Sequence, residues 1–331
     1  MYMTSKPRIL SGIQPSGKLH IGNYLGALKN FVELQDSGKF ECFFAIVDLH
    51  SLTEDYDPAQ KPGQILDLAA SYLAVGLDPK KSTIFLQSAV PAHSELAWIL
   101  STITPMGELV RMTQYKDKAS RQAANINAGL LTYPILMAAD ILLYNPPVVP
   151  VGDDQKQHLE ITRDLARKFN NKFGETFTEP KPLFTHAPRV MSLSDPKHKM
   201  AKSEPTGCLF LDDEPSAIEE KIKRAVTATD APDGKMPAGV ANLFLLLSHF
   251  GPKEEETRLR SEYERGTIKY SDLKTVLSNS ISKGLAEYRK KKTALDKKPK
   301  EIHNILKDGA KKANAVAQLT LETVKRKIGL I

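Results

Sequence analysis

The sequence predicts an α/β protein in which a doubly wound parallel sheet is followed by a smaller, all-helical C-terminal domain. Three observations carry this. Short apolar, strand-like runs alternate with helix-like runs through the first half of the chain. After about residue 205 the strand signals fade and charged helical periodicity takes over. The 331 residues, 41% of them hydrophobic, suffice for two domains with a sizeable core.

Taken in order, Arg8–Gly12, Glu41–Asp48, Ser82–Gln87 and Val148–Gly152 read as strands. Tyr24–Gln35, Gln64–Val75, Ser94–Thr102, Pro134–Tyr144 and Gln155–Asn170 read as helices between and after them. Sheets of this kind bind ligands beyond the carboxyl ends of their strands, which directs attention to the loops after Leu10, Val47 and Val149. In the second half Pro215–Thr229 reads as a helix. Its Glu219 and Glu220 come early and Lys221, Lys223 and Arg224 late, matching the helix dipole. Asp230–Gly239, with two prolines and two glycines, reads as a loop. Helices are expected at Ala241–Phe250, Lys253–Arg265, Ser271–Lys291 and Ala310–Lys327.

The stretch from Ser11 to Asn23 holds three glycines and a proline between a strand and a helix start. Such a junction aims backbone N–H groups and the positive end of a helix at one point, where a phosphate binds well. An ordinary βα loop has the same composition. There is no Gly-Lys-Ser/Thr ending and no dinucleotide fingerprint, which excludes the two commonest glycine-rich nucleotide loops. A second lysine-bearing element, Lys199-Met200-Ala201-Lys202-Ser203, lies between prolines at 196 and 205 that disfavour a long helix. Two lysines three apart on a mobile loop suit the phosphates of a nucleotide, and equally an exposed basic turn.

The net charge is +7, and residues 281–300 alone carry +6, from eight Lys and Arg against two acids. A polyanion partner or a solvated helix face would each account for that patch. Cys42 and Cys208 lack metal-ligand spacing, and no structural metal is expected. No apolar run approaches the roughly 20 residues needed to span a bilayer, so no membrane association is expected. The first seven residues contain no apolar stretch of the kind that begins a secretory signal. A reduced, cytoplasmic compartment is the expectation.

The two loops together resemble the "HIGH" and "KMSKS" elements of class I aminoacyl-tRNA synthetases. More narrowly, the chain resembles the bacterial-type tryptophanyl-tRNA synthetases. The strings that carry the likeness are Ser11–Asn23, Ile46–Thr53, Gly129–Pro134, Met137–Tyr144 and Gly152–His158. The resemblance spans nearly the whole chain in the family's order, strongest through residue 205 and looser beyond. The first motif ends in Asn23 rather than a second histidine, which is usual in this subfamily. The second has Ala201 where the general pattern has serine, which removes one hydroxyl contact to phosphate.

The resemblance implies a Rossmann-like catalytic domain made of residues 1–194 and about 299–331. It also implies a helical anticodon-binding domain at 195–298, opened by the lysine loop. Activation of tryptophan with ATP, delivered with Mg2+, and transfer to tRNA are implied, in a homodimer that does not bind DNA. His20, Asn23, Lys118, Lys199 and Lys202 are the implied catalytic residues. ATP would be held by Gln14, Pro15, Ser16, Gly22, Asn23, Gly152, Asp153, Asp154, Val190, Lys199, Met200, Ala201, Lys202 and Ser203. Tryptophan would be held by Asp140, Tyr133, Met137, His50, Gln155, Val149 and Val151. The residues themselves support part of this. Tyr133, Met137 and Asp140 follow i, i+4, i+7 spacing and share one helical face, provided the turn at Pro134 permits. A carboxylate in so apolar a run needs a partner, and an indole N–H, which can only donate, would be one; a helix cap or a lysine would be another. Arg289, Lys290, Lys291 and Lys292, the densest part of the basic patch, are expected to face tRNA phosphate.

Overall fold

A computed structural model describes residues 6–115, 126–152, 155–184, 188–227 and 236–331. Strands β1 (Arg8–Ile13), β2 (Glu41–Ile46) and β3 (Ser82–Leu86) pair in parallel, with Leu10 opposite Phe43 and Ile46 opposite Leu86. Strands β4 (Val148–Val151) and β5 (Lys181–Phe184) form a second parallel pair, and β4 lies against β1. The spatial order is therefore β3-β2-β1-β4-β5, and it reverses direction between β1 and β4. Alternate side chains enter different cores: Ile9, Cys42, Phe44 and Ile46 on one face, Leu10, Phe43 and Ala45 on the other. Burial on both faces is what a parallel sheet wound with helices on each side requires.

One face is covered by α1 (Lys29–Asp36) and α2 (Lys61–Ala74), through Leu28, Phe31, Leu68 and Tyr72. The other is covered by α3 (Ala92–Ser101), α5 (Ala128–Tyr144) and α6 (Lys156–Phe173), with the short α4 (Met106–Val110) beside α5. The C-terminal half supplies α7 (Pro215–Lys223), α8 (Ala238–Phe250), α9 (Lys253–Glu264), α10 (Tyr270–Gly284) and α11 (Ala286–Asp296). Their core is continuous with the first face of the sheet. Last comes α12 (Pro299–Lys327), which lies along β3 and touches α3 and α5. The fold is thus a Rossmann-like doubly wound sheet carrying a helical C-terminal region.

Several boundaries differ from expectation. The helix expected to start at Pro134 starts at Ala128, where the Asn127 side chain accepts the Leu130 N–H at 3.0 Å. Pro134 therefore sits inside α5 and forgoes one ladder bond. The burial of most of the helix outweighs that loss. The single helix expected over Ser271–Lys291 divides at Gly284 and Leu285. The helix expected to run to Thr229 stops at Lys223, and the chain turns so that the Val226 N–H can reach the Leu193 carbonyl at 2.9 Å. Gly239, assigned to a loop, lies in α8. The last helix begins at Pro299, eleven residues earlier than expected, and Gly309 lies inside it, packed against the Ile84 backbone. The strand β5 and the helix α4 carried too little periodicity to be expected at all.

The basic patch also needs correction. Lys292 points inward, bonded at 2.7 Å to Asp67 of α2 and at 2.7 Å to Asp296. Arg289 is half-buried and donates to the Ser282 carbonyl at 2.7 Å. Only Lys290 and Lys291 of the four are exposed.

Candidate functional site

A cleft of about 1210 Å³ opens where β1 and β4 diverge, large enough for an amino acid and a nucleotide together. Leu10, Ser11 and Gly12 of β1 form one wall, and Val149, Pro150 and Val151 of β4 the other. The cleft brings together the two residue sets assigned from sequence. Gln14, Gly22, Asn23, Gly152 and Lys199 line it, as do His50, Tyr133, Met137, Asp140, Val149, Val151 and Gln155.

Other assigned residues sit behind the lining. Val190 and Met200 are buried, and the Met200 N–H donates to the Val190 carbonyl at 3.0 Å. With the bridge between Met191 and Lys199, this folds the lysine loop into a short hairpin that presents Lys199 to the cleft. Pro15, Ser16, Ala201, Lys202 and Ser203 do not line it, and Ser203 is exposed. Lys118, Asp153 and Asp154 lie outside the described residues.

The glycine-rich turn and the lysine loop touch. Lys202 Nζ donates to the Gly17 carbonyl at 3.1 Å and to Ser16 Oγ at 3.3 Å. Lys18, in contrast, is drawn away to Asp212 at 2.7 Å. The His20 ring is buried beneath Gly22, where a Cβ atom would come within 2.8 Å of its Cε1. Desolvation, aided by the nearby charges of Lys202 and Lys199, lowers the His20 pKa to about 4, so the ring is neutral at pH 7. Its Nδ1 is buried with no hydrogen-bond partner among the described residues. The Asn23 side chain accepts the His20 backbone N–H at 3.1 Å and fixes the entry to the following helical turn.

At the amino-acid end, Asp140 is buried and accepts three side-chain donors. His50 Nε2 lies at 2.7 Å, His93 Nδ1 at 2.6 Å, and Gln87 Nε2 at 2.8 and 2.9 Å from the two oxygens. Burial alone would raise its pKa, but the hydrogen bonds from His50 and His93 hold it below the usual carboxylate range. Asp140 is therefore an ionised acceptor in a cleft that Met137, Ile141, Val149 and Val151 line on the apolar side and His50, Tyr133, Gln155 and His158 on the polar one. Tyr133 bonds His158 at 2.7 Å, and burial pushes its hydroxyl up to about 12, so it stays neutral.

Sequence reasoning passed over Gln87, His93 and His158, as well as the lining residues Gln114, Lys156 and Arg189. A signal existed for two of these. Gln87 ends an apolar strand and His93 opens an apolar helix, and buried polar side chains in such runs call for partners.

A model of the tRNA synthetases class I (W and Y) matches residues 3–319. The chain is 47% identical over 330 residues to the tryptophan–tRNA ligase of Caldanaerobacter subterraneus subsp. tengcongensis, covering 98% of each chain. It is 47% identical over 329 residues to that of Bacillus anthracis, covering 97% of this chain and 98% of the relative. Among solved structures, the tryptophanyl-tRNA synthetase of Campylobacter jejuni complexed with ADP and tryptophan superposes with a TM-score of 0.83 at 38% identity. That match covers 97% of this chain and 99% of the other. The two loops in contact, the cleft between them and the sheet, and these matches along almost the whole chain agree: the protein belongs to the class I tRNA synthetases of the W and Y family.

Proposed function

We propose that the chain is a tryptophan–tRNA ligase. It activates tryptophan with ATP to tryptophanyl-adenylate and pyrophosphate, then transfers the tryptophanyl group to the 3′ end of its tRNA. The observation that carries the specificity is Asp140, an ionised acceptor lining a cleft beside Met137, Val149 and Val151. The indole nitrogen can only donate, so it fits one carboxylate acceptor among Met137, Val149 and Val151. A tyrosine-specific enzyme would be built around a phenol hydroxyl. The names of the relatives and the tryptophan bound to the Campylobacter enzyme favour indole.

Activation asks little of acid–base chemistry, because the amino-acid carboxylate is already a nucleophile. It requires alignment and positive charge where the pyrophosphate leaves. His20 and Asn23 serve the phosphates at the helix start, and Lys199 and Lys202 hold the leaving pyrophosphate. Lys118 would join them, and Gly152, Asp153 and Asp154 would face the ribose. Mg2+ arrives with the triphosphate as part of the substrate.

Residues 195–298 form the anticodon-binding domain in this reading, and residues 1–194 with 299–331 the catalytic one. A homodimer in the cytoplasm completes it. The exposed side chains of Trp98, Met106 and Val110 on α3 and α4 give such a dimer an apolar surface.

Amino-acid-dependent ATP–pyrophosphate exchange, run with each standard amino acid, tests the proposal. Exchange with tryptophan alone is expected, and exchange driven by tyrosine would refute it. Asp140→Asn should raise the KM for tryptophan and leave the KM for ATP in place.

A further inference from the structure

Asp140 is held from behind by two residues that do not reach the cleft. Gln87 and His93 are fully buried, and neither lines the cavity, whereas Asp140 and His50 do. Gln87 has one possible orientation. Its Oε1 accepts the Leu49 N–H at 3.1 Å, so its Nε2 must face Asp140, where one N–H is shared between both carboxylate oxygens. His93 is fixed in the same way. A carboxylate only accepts, so His93 Nδ1 carries the hydrogen it donates to Asp140. His93 Nε2 then accepts from the Tyr144 hydroxyl at 3.0 Å, one turn further along α5.

An ionised carboxylate offers about four acceptor sites. His50, His93 and the shared Gln87 N–H occupy most of them. His50 holds one oxygen, His93 the other, and the Gln87 N–H spans both, while the carboxylate itself lines the cleft. Three donors around one group also fix the rotation of the carboxylate, which a single donor would not. Since Gln87 directly follows β3 and His93 lies in the first turn of α3, the orientation of Asp140 is tied to the sheet and not to α5 alone.

We infer that Gln87 and His93 are positioning residues for amino-acid selection: together they hold the Asp140 carboxylate in one rotation at the cleft wall, where it meets the ring N–H of the substrate. This rests on the assignment of Asp140 to the indole. It goes beyond that assignment by placing part of the selectivity in two side chains that never touch the substrate. Their effect concerns one substrate atom. A role confined to packing would weaken every amino acid alike.

The test compares tryptophan with β-(benzothiophen-3-yl)alanine, in which sulfur replaces the ring N–H at nearly constant shape. ATP–pyrophosphate exchange gives kcat/KM for both, and the ratio is the readout. Gln87→Leu should raise the KM for tryptophan about tenfold while changing that for the sulfur analogue less than about threefold, so the ratio falls. His93→Leu should lower the ratio in the same direction. His93→Asn, whose amide nitrogen can stand where Nδ1 stands, should restore much of it. Equal losses on both substrates in Gln87→Leu, or an unchanged ratio, would overturn the inference. If His93→Leu does not fold, the Gln87→Leu ratio alone decides. Asp140→Asn separates the two levels. If it leaves the ratio unchanged, the indole assignment itself fails. If it collapses the ratio while Gln87→Leu and His93→Leu do not, only the positioning role fails.

Discussion

Lys202 Nζ lies 3.1 Å from the carbonyl oxygen of Gly17, closing the lysine loop onto a turn 185 residues earlier in the chain. The partners of this half-buried ammonium are neutral oxygens, and desolvation lowers its pKa. A triphosphate entering above Gly22 would offer it a charged partner instead, and the hydrogen bond is charge-assisted only then. Lys202→Ala is therefore expected to lower kcat for ATP–pyrophosphate exchange by about a hundredfold, with the dissociation constant for tryptophan unchanged. Exchange kinetics together with calorimetric titration of tryptophan would separate the two. An equal loss in tryptophan binding would show that the contact is structural.

His20 gives a pH signature. Its folded pKa of about 4 lies below the unfolded value of 6.5, so between these values the unfolded chain binds more protons. The site costs nothing above pH 6.5. It becomes destabilising as pH falls through 6.5 and reaches its full effect near pH 4, at most ~3 kcal/mol. The urea midpoint of His20→Asn should therefore converge upward on that of the wild type as pH is lowered from 7 to 4. A constant difference between the two would mean that folding does not lower the His20 pKa. Gly22→Ala attacks the same ring sterically. A Cβ there meets Cε1 at 2.8 Å and Nδ1 at 2.9 Å, so exchange should fall without loss of tryptophan affinity.

Most of the sheet was legible because its strands are continuous apolar runs, buried on both faces, and those runs need no partner to be recognised. The cleft was legible for the same reason, since it lies where β1 and β4 part. Boundaries were lost where a residue's local preference lost to packing. Pro134, expected to start a helix, sits inside α5, and the last helix, expected from Ala310, begins at Pro299. That its three partners meet at Asp140 was not legible, for another reason. Gln87, His93 and His50 converge from three separate segments, and only the register of β2 and β3 brings them within reach.

The corrected basic patch changes what its mutation should do. Lys292 bridges Asp67 and Asp296, and although burial opposes its charge, these two hydrogen bonds raise its pKa. Lys292→Ala should lower stability by ~2 kcal/mol, less than for a fully buried pair because both acids remain half exposed. Lys290 and Lys291 face solvent. Replacing both with alanine should leave the denaturation midpoint in place. If tRNA phosphate lies over them, that change should also weaken tRNA charging and flatten its salt dependence. Salt titration of charging against unfolding curves distinguishes the two pairs of effects.

At Gly309 the α12 backbone packs directly against β3. A Cβ there would fall 1.8 Å from the Ile84 carbonyl oxygen and 2.7 Å from its carbon, backbone atoms that cannot step aside singly. Relief would require α12 to lift from β3 along a contact that also seats Ala310, Ala313 and Ala317. Gly309→Ala gains helix propensity but overpacks this seam, for a net loss of roughly 2 kcal/mol. Gly63 in α2 is the matched control, since it is exposed and a Cβ there meets nothing within 4 Å. Gly63→Ala should therefore stabilise by about 0.5 kcal/mol. Chemical denaturation of both variants reads the two signs directly. A stabilised Gly309→Ala would mean that α12 does not press on β3 as closely as the fold requires.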